Sequence, residues 1–177
     1  MADRERFDSG WYDTFLVAVW EGIEYLATEA PTDATVFNDG ADWSEGYVAA
    51  WTEVLQLRET GLASVARAVI ARDQQECKRK YGWPSPAASD EVVEIRQEEL
   101  RSAAVGFCRE ACARALALRD LCREASEGPL RQRLAGSVFA WGRVISLLQN
   151  QAEICDLPLH ELGLDTLNPD TDLWCGD

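Results

Sequence analysis

The chain contains one histidine, His160, and two lysines, Lys78 and Lys80, against fifteen arginines. A single imidazole excludes histidine-rich metal clusters. A nucleophile–base pair could use only His160, and its nearest thiol, Cys155, lies five residues away across a proline, a poor local geometry. No C-x-x-C occurs, so the usual zinc and thioredoxin spacings are missing. The glycines are scattered and form no phosphate-cradling loop. No apolar run approaches the ~18 residues of a membrane-spanning helix. Sustained apolar/polar alternation is also lacking, which argues against strands. The opening "MADRERFDSGW" does not have the basic-then-apolar layout of a secretory signal, so a cytoplasmic location is expected. In that compartment free thiols are the default. Arginine and alanine in excess point to a GC-rich bacterial or viral genome.

What is present is an ordinary globular composition: 177 residues, 47% hydrophobic and 27% charged, enough for one domain with a sizeable core. The formal net charge is −14, and it is unevenly spread. Residues 1–60 carry net −10, residues 61–150 net +3, and residues 151–177 net −7 with no lysine or arginine. Two consequences are open. The acidic ends can lie against the arginine-rich middle, or an acidic surface can engage a basic partner. Direct nucleic-acid binding is not expected, because the phosphate backbone would be repelled.

Helical periodicity runs through the chain. The first helix is expected over 9–29, with Trp11, Phe15, Val19, Ile23 and Leu26 on one face and Pro31 just past its end. "APTDATVFNDGAD" reads as a loop. A second helix starts at Asp42 or Ser44, with Asp42 and Glu45 in capping-box spacing, and continues to Lys80. Gly61 is its one candidate kink. "GWPSPAAS" is a turn, since two prolines and a glycine cannot continue a helix. A third helix is expected over 89–127. Pro129 opens a fourth that runs to about Cys155. There Leu134, Val138, Trp141, Ile145, Leu148, Ala152 and Cys155 alternate at spacings of four and three, a coiled-coil-like stripe that calls for a lengthwise neighbour, most simply the third helix. "LPLHELG" makes a short last helix that Gly163 ends.

The stretch "GFCREACARALALRDLC", 106–122, holds three of the six cysteines. On a helical wheel Cys108 and Cys122 fall among Leu100, Ala104, Phe107, Ala111, Ala115 and Leu118, with Cys112 at the edge of that arc. Cysteine behaves there as a small apolar residue that lets another helix approach. The alternative is a thiol or zinc site built from Cys108, Cys112 and Cys155, or a disulfide from this helix to Cys155 or Cys175.

Glu91, Glu94 and Glu98 share one helix face, and such carboxylates can bind magnesium and phosphates. They resemble in part the Glu-x-x-Glu groups of all-helical nucleotide pyrophosphohydrolases. That resemblance implies a magnesium-dependent hydrolase. It lacks a matching second motif, for which "LRDLCREA" offers only Asp120 and Glu124. The three glutamates fall on the charged face with Arg101 and Arg109, where alternating charge in water accounts for them.

Seven tryptophans are present. Trp20, Trp51 and Trp141 lie on helices and suit the core. Trp11, Trp43, Trp83 and Trp174 lie near helix ends or in loops, where aromatic residues pack over helix ends or anchor interfaces, and Trp83 and Trp174 are the candidates for exposure. Trp174, with Asp170 and Asp172, gives "DTDLWC" the character of an acidic-aromatic docking tail.

Together these features predict an all-α, single-domain up-down bundle of four main helices over residues 1–177. It has a long antiparallel hairpin of the second and third helices, a short C-terminal helix and an irregular acidic tail over 164–177. The expected function is a non-enzymatic interaction protein without a cofactor or a membrane association. It binds a protein partner or a second copy of itself, in one form as an acidic inhibitor of a nucleic-acid-binding protein.

Overall fold

In the computed structural model the described residues are 10–37, 40–82 and 95–175, and every regular element among them is helical. α1 spans Gly10–Phe37 and buries Phe15, Leu16, Val19 and Ile23. It passes through Pro31, where the sequence led us to expect its end. Tertiary contacts outweigh the local breaker here. Ala30 and Ala34 continue the buried stripe beyond the proline. Asp33 pairs with Arg143, and Ser44 donates to the Ala34 carbonyl at 3.2 Å.

The second expected helix is two helices, α2 (Ala41–Gly61) and α3 (Ala63–Tyr81). The break is at Leu62, with φ −121° and ψ −19°. Its side chain is fully buried, while Gly61 is exposed. A straight rod would carry its second half, about 28 Å for 19 residues, away from the core. The bend instead returns Ala63, Ala66 and Val69 to it. Gly82, at φ 67°, closes α3 in the left-handed conformation that glycine adopts without strain.

α4 spans Gln97–Glu124 and α5 Pro129–Ile154, with the proline in the first turn as the sequence indicates. α6 (Leu159–Leu162) ends at Gly163, also as expected. The tail, expected to be irregular, holds one more short helix, α7 (Pro169–Asp172). Asn168 caps it by accepting the Asp170 amide at 3.0 Å.

α5 is the central element. The expected stripe faces inward, with Val138, Trp141, Ile145, Leu148, Ala152 and Cys155 all buried. A second face of α5, through Arg133 and Gly136, meets the backbone of Trp43, Gly46 and Tyr47 in α2, and Ala50 and Ala140 are buried. Asp42 pairs with Arg133, Gly46 with Ser137 and Tyr47 with Phe139, so the two helices run parallel. α1 runs antiparallel to α2 and α3, as Ala34–Ser44, Trp20–Arg58 and Asp13–Arg72 show. The direction of the chain is therefore up-down, with five main helices because the second is divided. α4 lies mainly against α5 and meets α2 and α3 more narrowly. The expected hairpin of the middle helices is thus subordinate to the α2–α5 contact. Among the described residues no helix is long and apolar enough to cross a membrane.

Candidate interaction groove

The face of α5 turned away from the core carries Arg131, Gln132, Ala135, Phe139, Arg143, Ser146, Asn150 and Glu153, again at helical spacing. Residues 159–175 return along this face and leave a channel between the two. Their placement is set by burial of Leu162, Leu164, Leu167 and Leu173 and by side chains that hold their carbonyls. Gln149 Nε2 donates to Leu164 O at 2.9 Å and to Leu167 O at 2.7 Å. Arg119 donates to Asp172 O at 3.3 Å, Arg123 to Trp174 O at 3.2 Å and Arg131 to Cys175 O at 2.8 Å.

The channel has two ends of different chemistry. One is a groove of about 930 Å³ walled by Trp43, Phe139 and Trp174, with Arg131 and Arg143 beside them. Phe139 is 40% and Trp174 66% exposed, unusual for such large apolar side chains. Trp43 stacks on Tyr47 with centroids 5.1 Å apart, and Phe139 lies tilted 5.6 Å from Trp43. The exposed ring is thus backed by a rigid aromatic cluster. The other end is a recess of about 520 Å³ that shares Ser146, Pro169 and Asp170 with the first. Glu153, Asp165 and Asp170 line it, and among the described residues no lysine, arginine or histidine does.

The arginines at the aromatic end are already engaged. Burial works against the Arg143 charge, but Asp33 and the Tyr47 hydroxyl outweigh it and raise its pKa. Tyr47 accepts from Arg143 at 2.7 Å. Arg131 grips the tail. An acidic partner would have to compete with these bonds, whereas the carboxylate end is open to a cation.

Of the residues singled out in the sequence, Trp174 and Asp170 stand in the channel wall. Asp172 turns into α7 and accepts the Asn168 amide at 2.7 Å. Trp83, Glu91 and Glu94 lie outside the described residues. Glu98 is exposed near the start of α4, and Asp120 and Glu124 are near its end, the first paired with Arg119. Twenty-two residues of helix put Glu98 and Asp120 about 33 Å apart, so one site cannot use both. Cys108, Cys112 and Cys155 are buried, and burial raises the pKa of each. The Cys112 thiol donates to the Gly163 carbonyl at 3.9 Å. Among the described residues no three His, Cys, Asp or Glu side chains are placed to hold a metal ion.

The sequence did not single out Phe139, Glu153 or Asp165, and it placed Trp43 only among the tryptophans near helix ends. A signal for Phe139 existed: it falls off the four-three stripe of its helix and therefore needs another partner. Comparison with known proteins returns no matching family, no matching curated protein and no matching solved structure.

Proposed function

We propose that the chain is a non-enzymatic interaction protein whose α5–tail channel receives a peptide segment of a basic protein partner. One observation carries this reading: exposed aromatic rings in one of two adjoining recesses that share Ser146, Pro169 and Asp170, and in the other three carboxylates with no base beside them among the described residues. An apolar side chain of the partner packs between Phe139 and Trp174, and a lysine or arginine reaches Glu153, Asp165 and Asp170. Aromatic anchors in a pocket ringed by polar groups are where interface energy concentrates. The net charge of −14 supports a basic partner, because it attracts one at long range and raises the association rate. A protein that normally holds phosphate in a basic groove is a partner of this kind.

Selection from a random peptide library on the purified chain tests the proposal. The expected consensus pairs an aromatic or large aliphatic residue with a nearby Lys or Arg. Trp174→Ala should weaken a selected peptide at least tenfold, the cost of a typical anchor. Glu153→Gln with Asp165→Asn should weaken it less and reduce its salt dependence. A consensus that is acidic, or peptides indifferent to all three changes, would refute the reading.

A further inference from the structure

Building on the channel as a peptide site, we propose that the channel of one copy takes up the C-terminal end of α3 from a second copy, so that the chain associates with itself when no other partner is bound. The last turn of α3 carries Lys78, Arg79 and Lys80. These include both lysines of a chain whose formal net charge is −14. All three are exposed, and among the described residues none of them is paired with a carboxylate. Tyr81 follows directly and is 57% exposed, with the Lys80 ammonium 5.2 Å from its ring centre. An aromatic ring with bases within one helical turn is the chemistry that the two recesses of the channel call for.

This end of α3 stands clear of the rest of its own chain. The buried residues of the helix stop at Val69, and twelve more residues to Tyr81 carry it about 18 Å further. Arg72 still reaches Asp13 of α1, but none of residues 73–81 is buried. Cations in a last turn suit the negative pole of a helix. That accounts for the three charges, but not for the exposed ring beside them or for so long a stretch of helix without a buried residue. Lys78, Arg79, Lys80 and Tyr81 do not line the channel of their own chain, and the unbroken helix holds them away from it. The channel they can enter belongs to a second copy.

Three cations then face three carboxylates. Tyr81 enters between Phe139 and Trp174, and Lys78, three residues back, shares its helix face. Asp170 lines both recesses, so it is the first carboxylate that a base beside the ring meets. Glu153 and Asp165 lie beyond it for the other two. The net charge of each copy opposes the encounter at long range. At about 0.15 M salt that repulsion is screened beyond ~8 Å, while the pairs inside the contact lie closer and keep their attraction. The contact is heterologous, with a different surface used on each copy. A channel filled in this way cannot take another basic segment, so self-association and partner binding exclude each other there.

Sedimentation velocity of the full chain, with reductant and about 0.15 M salt, tests this. The mass is expected to rise above that of the monomer as concentration increases. Two variants, changed only at exposed positions, separate the two surfaces. Lys78→Gln with Lys80→Gln and Tyr81→Ala removes the segment and keeps the channel. Glu153→Gln with Asp165→Asn and Trp174→Ala removes the channel and keeps the segment. Each alone should associate about tenfold more weakly or less. Mixed, they should form a 1:1 complex, because the channel of the first still receives α3 of the second, and this recovery also shows that both are folded. A parent chain that stays monomeric, a variant that associates like the parent, or a mixture that stays monomeric would each overturn the proposal. Peptide selection on the first variant reads the channel separately. Basic-aromatic peptides that bind it while the parent stays monomeric would overturn self-association and leave the channel reading standing.

Discussion

Gly136 of α5 lies so close to Trp43 of α2 that a β-carbon added to it would fall 2.1 Å from the Trp43 carbonyl oxygen. Gly46 is in the same position toward α5, where its β-carbon would meet the Arg133 carbonyl at 1.9 Å. Both obstacles are backbone, so no side chain can swing aside. Ala50 and Ala140, one turn further along each helix, are also buried. A glycine and an alanine four apart on both helices let the backbones touch, the small-residue geometry familiar from close helix pairs.

Gly46→Ala and Gly136→Ala are therefore expected to destabilise the fold by about 3 kcal/mol or more, since the helices must separate to admit a methyl group. Gly106→Ala in α4 is the control. Nothing lies within 4 Å of its added β-carbon, and alanine there should stabilise by about 0.5–1 kcal/mol. Urea midpoints of the three variants check the contrast.

That helix pair also marks where the sequence stopped being informative. The four-three stripe of α5 was legible because large apolar residues at heptad spacing have few other uses. Its second face, built on Gly136 and Ala140, leaves no hydropathy signal, because small residues are as common on surfaces as in tight interfaces. The division of α2 from α3 was half legible: Gly61 was the one weak point, but only packing against α1 decides whether a helix bends there. The cysteine row of α4 read correctly as core from its alanine neighbours. The channel was the least legible part. Trp174 and Asp170 stood out as tail residues, but the opposite wall comes from α5, and its use depends on where residues 159–175 return.

The Asp13–Arg72 bond, 2.6 Å long, joins α1 to α3. Asp13 is 8% exposed, and its second carboxylate oxygen has no hydrogen-bond partner among the described residues. Removing only the cation leaves a buried charge uncompensated. Arg72→Met is expected to cost about 2–3 kcal/mol, below the 3–5 of a wholly buried pair because Arg72 retains a third of its exposure. Asp13→Leu combined with Arg72→Met should recover most of that loss. A double-mutant cycle by chemical denaturation measures it.

Burial raises the Cys108 thiol well above its ordinary range, with a smaller push from Cys112. The folded protein therefore holds the Cys108 proton at a pH where the unfolded chain, with a thiol pKa of about 8.5, releases it. The stability from this group is fully present below about pH 8.5 and is lost as pH rises above it, by about 1.4 kcal/mol per pH unit. The urea midpoint should fall between pH 8.5 and 10, and Cys108→Ala should flatten that decline. Cys175, raised to about 12 chiefly by burial, then by Cys122, adds a smaller slope of the same sign because it is part-exposed. A midpoint unchanged over this range would show that Cys108 is not buried as described.

Pro31 gives the sharpest test of the first helix. If α1 ended at residue 29, as the local sequence suggests, Pro31 would stiffen a loop, and replacing it with alanine would destabilise by releasing entropy to the unfolded chain. In the structure Pro31 is inside α1 and exposed, with no N–H to offer the Ala27 carbonyl one turn back. Alanine at this position restores that bond and removes the ring's clash with the preceding turn, while no buried surface is lost. Pro31→Ala is thus expected to stabilise by about 1–3 kcal/mol, a rise in Tm of several degrees for a chain of this size. The Arg143–Asp33 pair and the Tyr47 contact, two residues further along the same helix, should be retained or strengthened. A fall in Tm would place the end of α1 before the proline, and would take with it the α1 contacts that hold Arg143 at the channel's aromatic end.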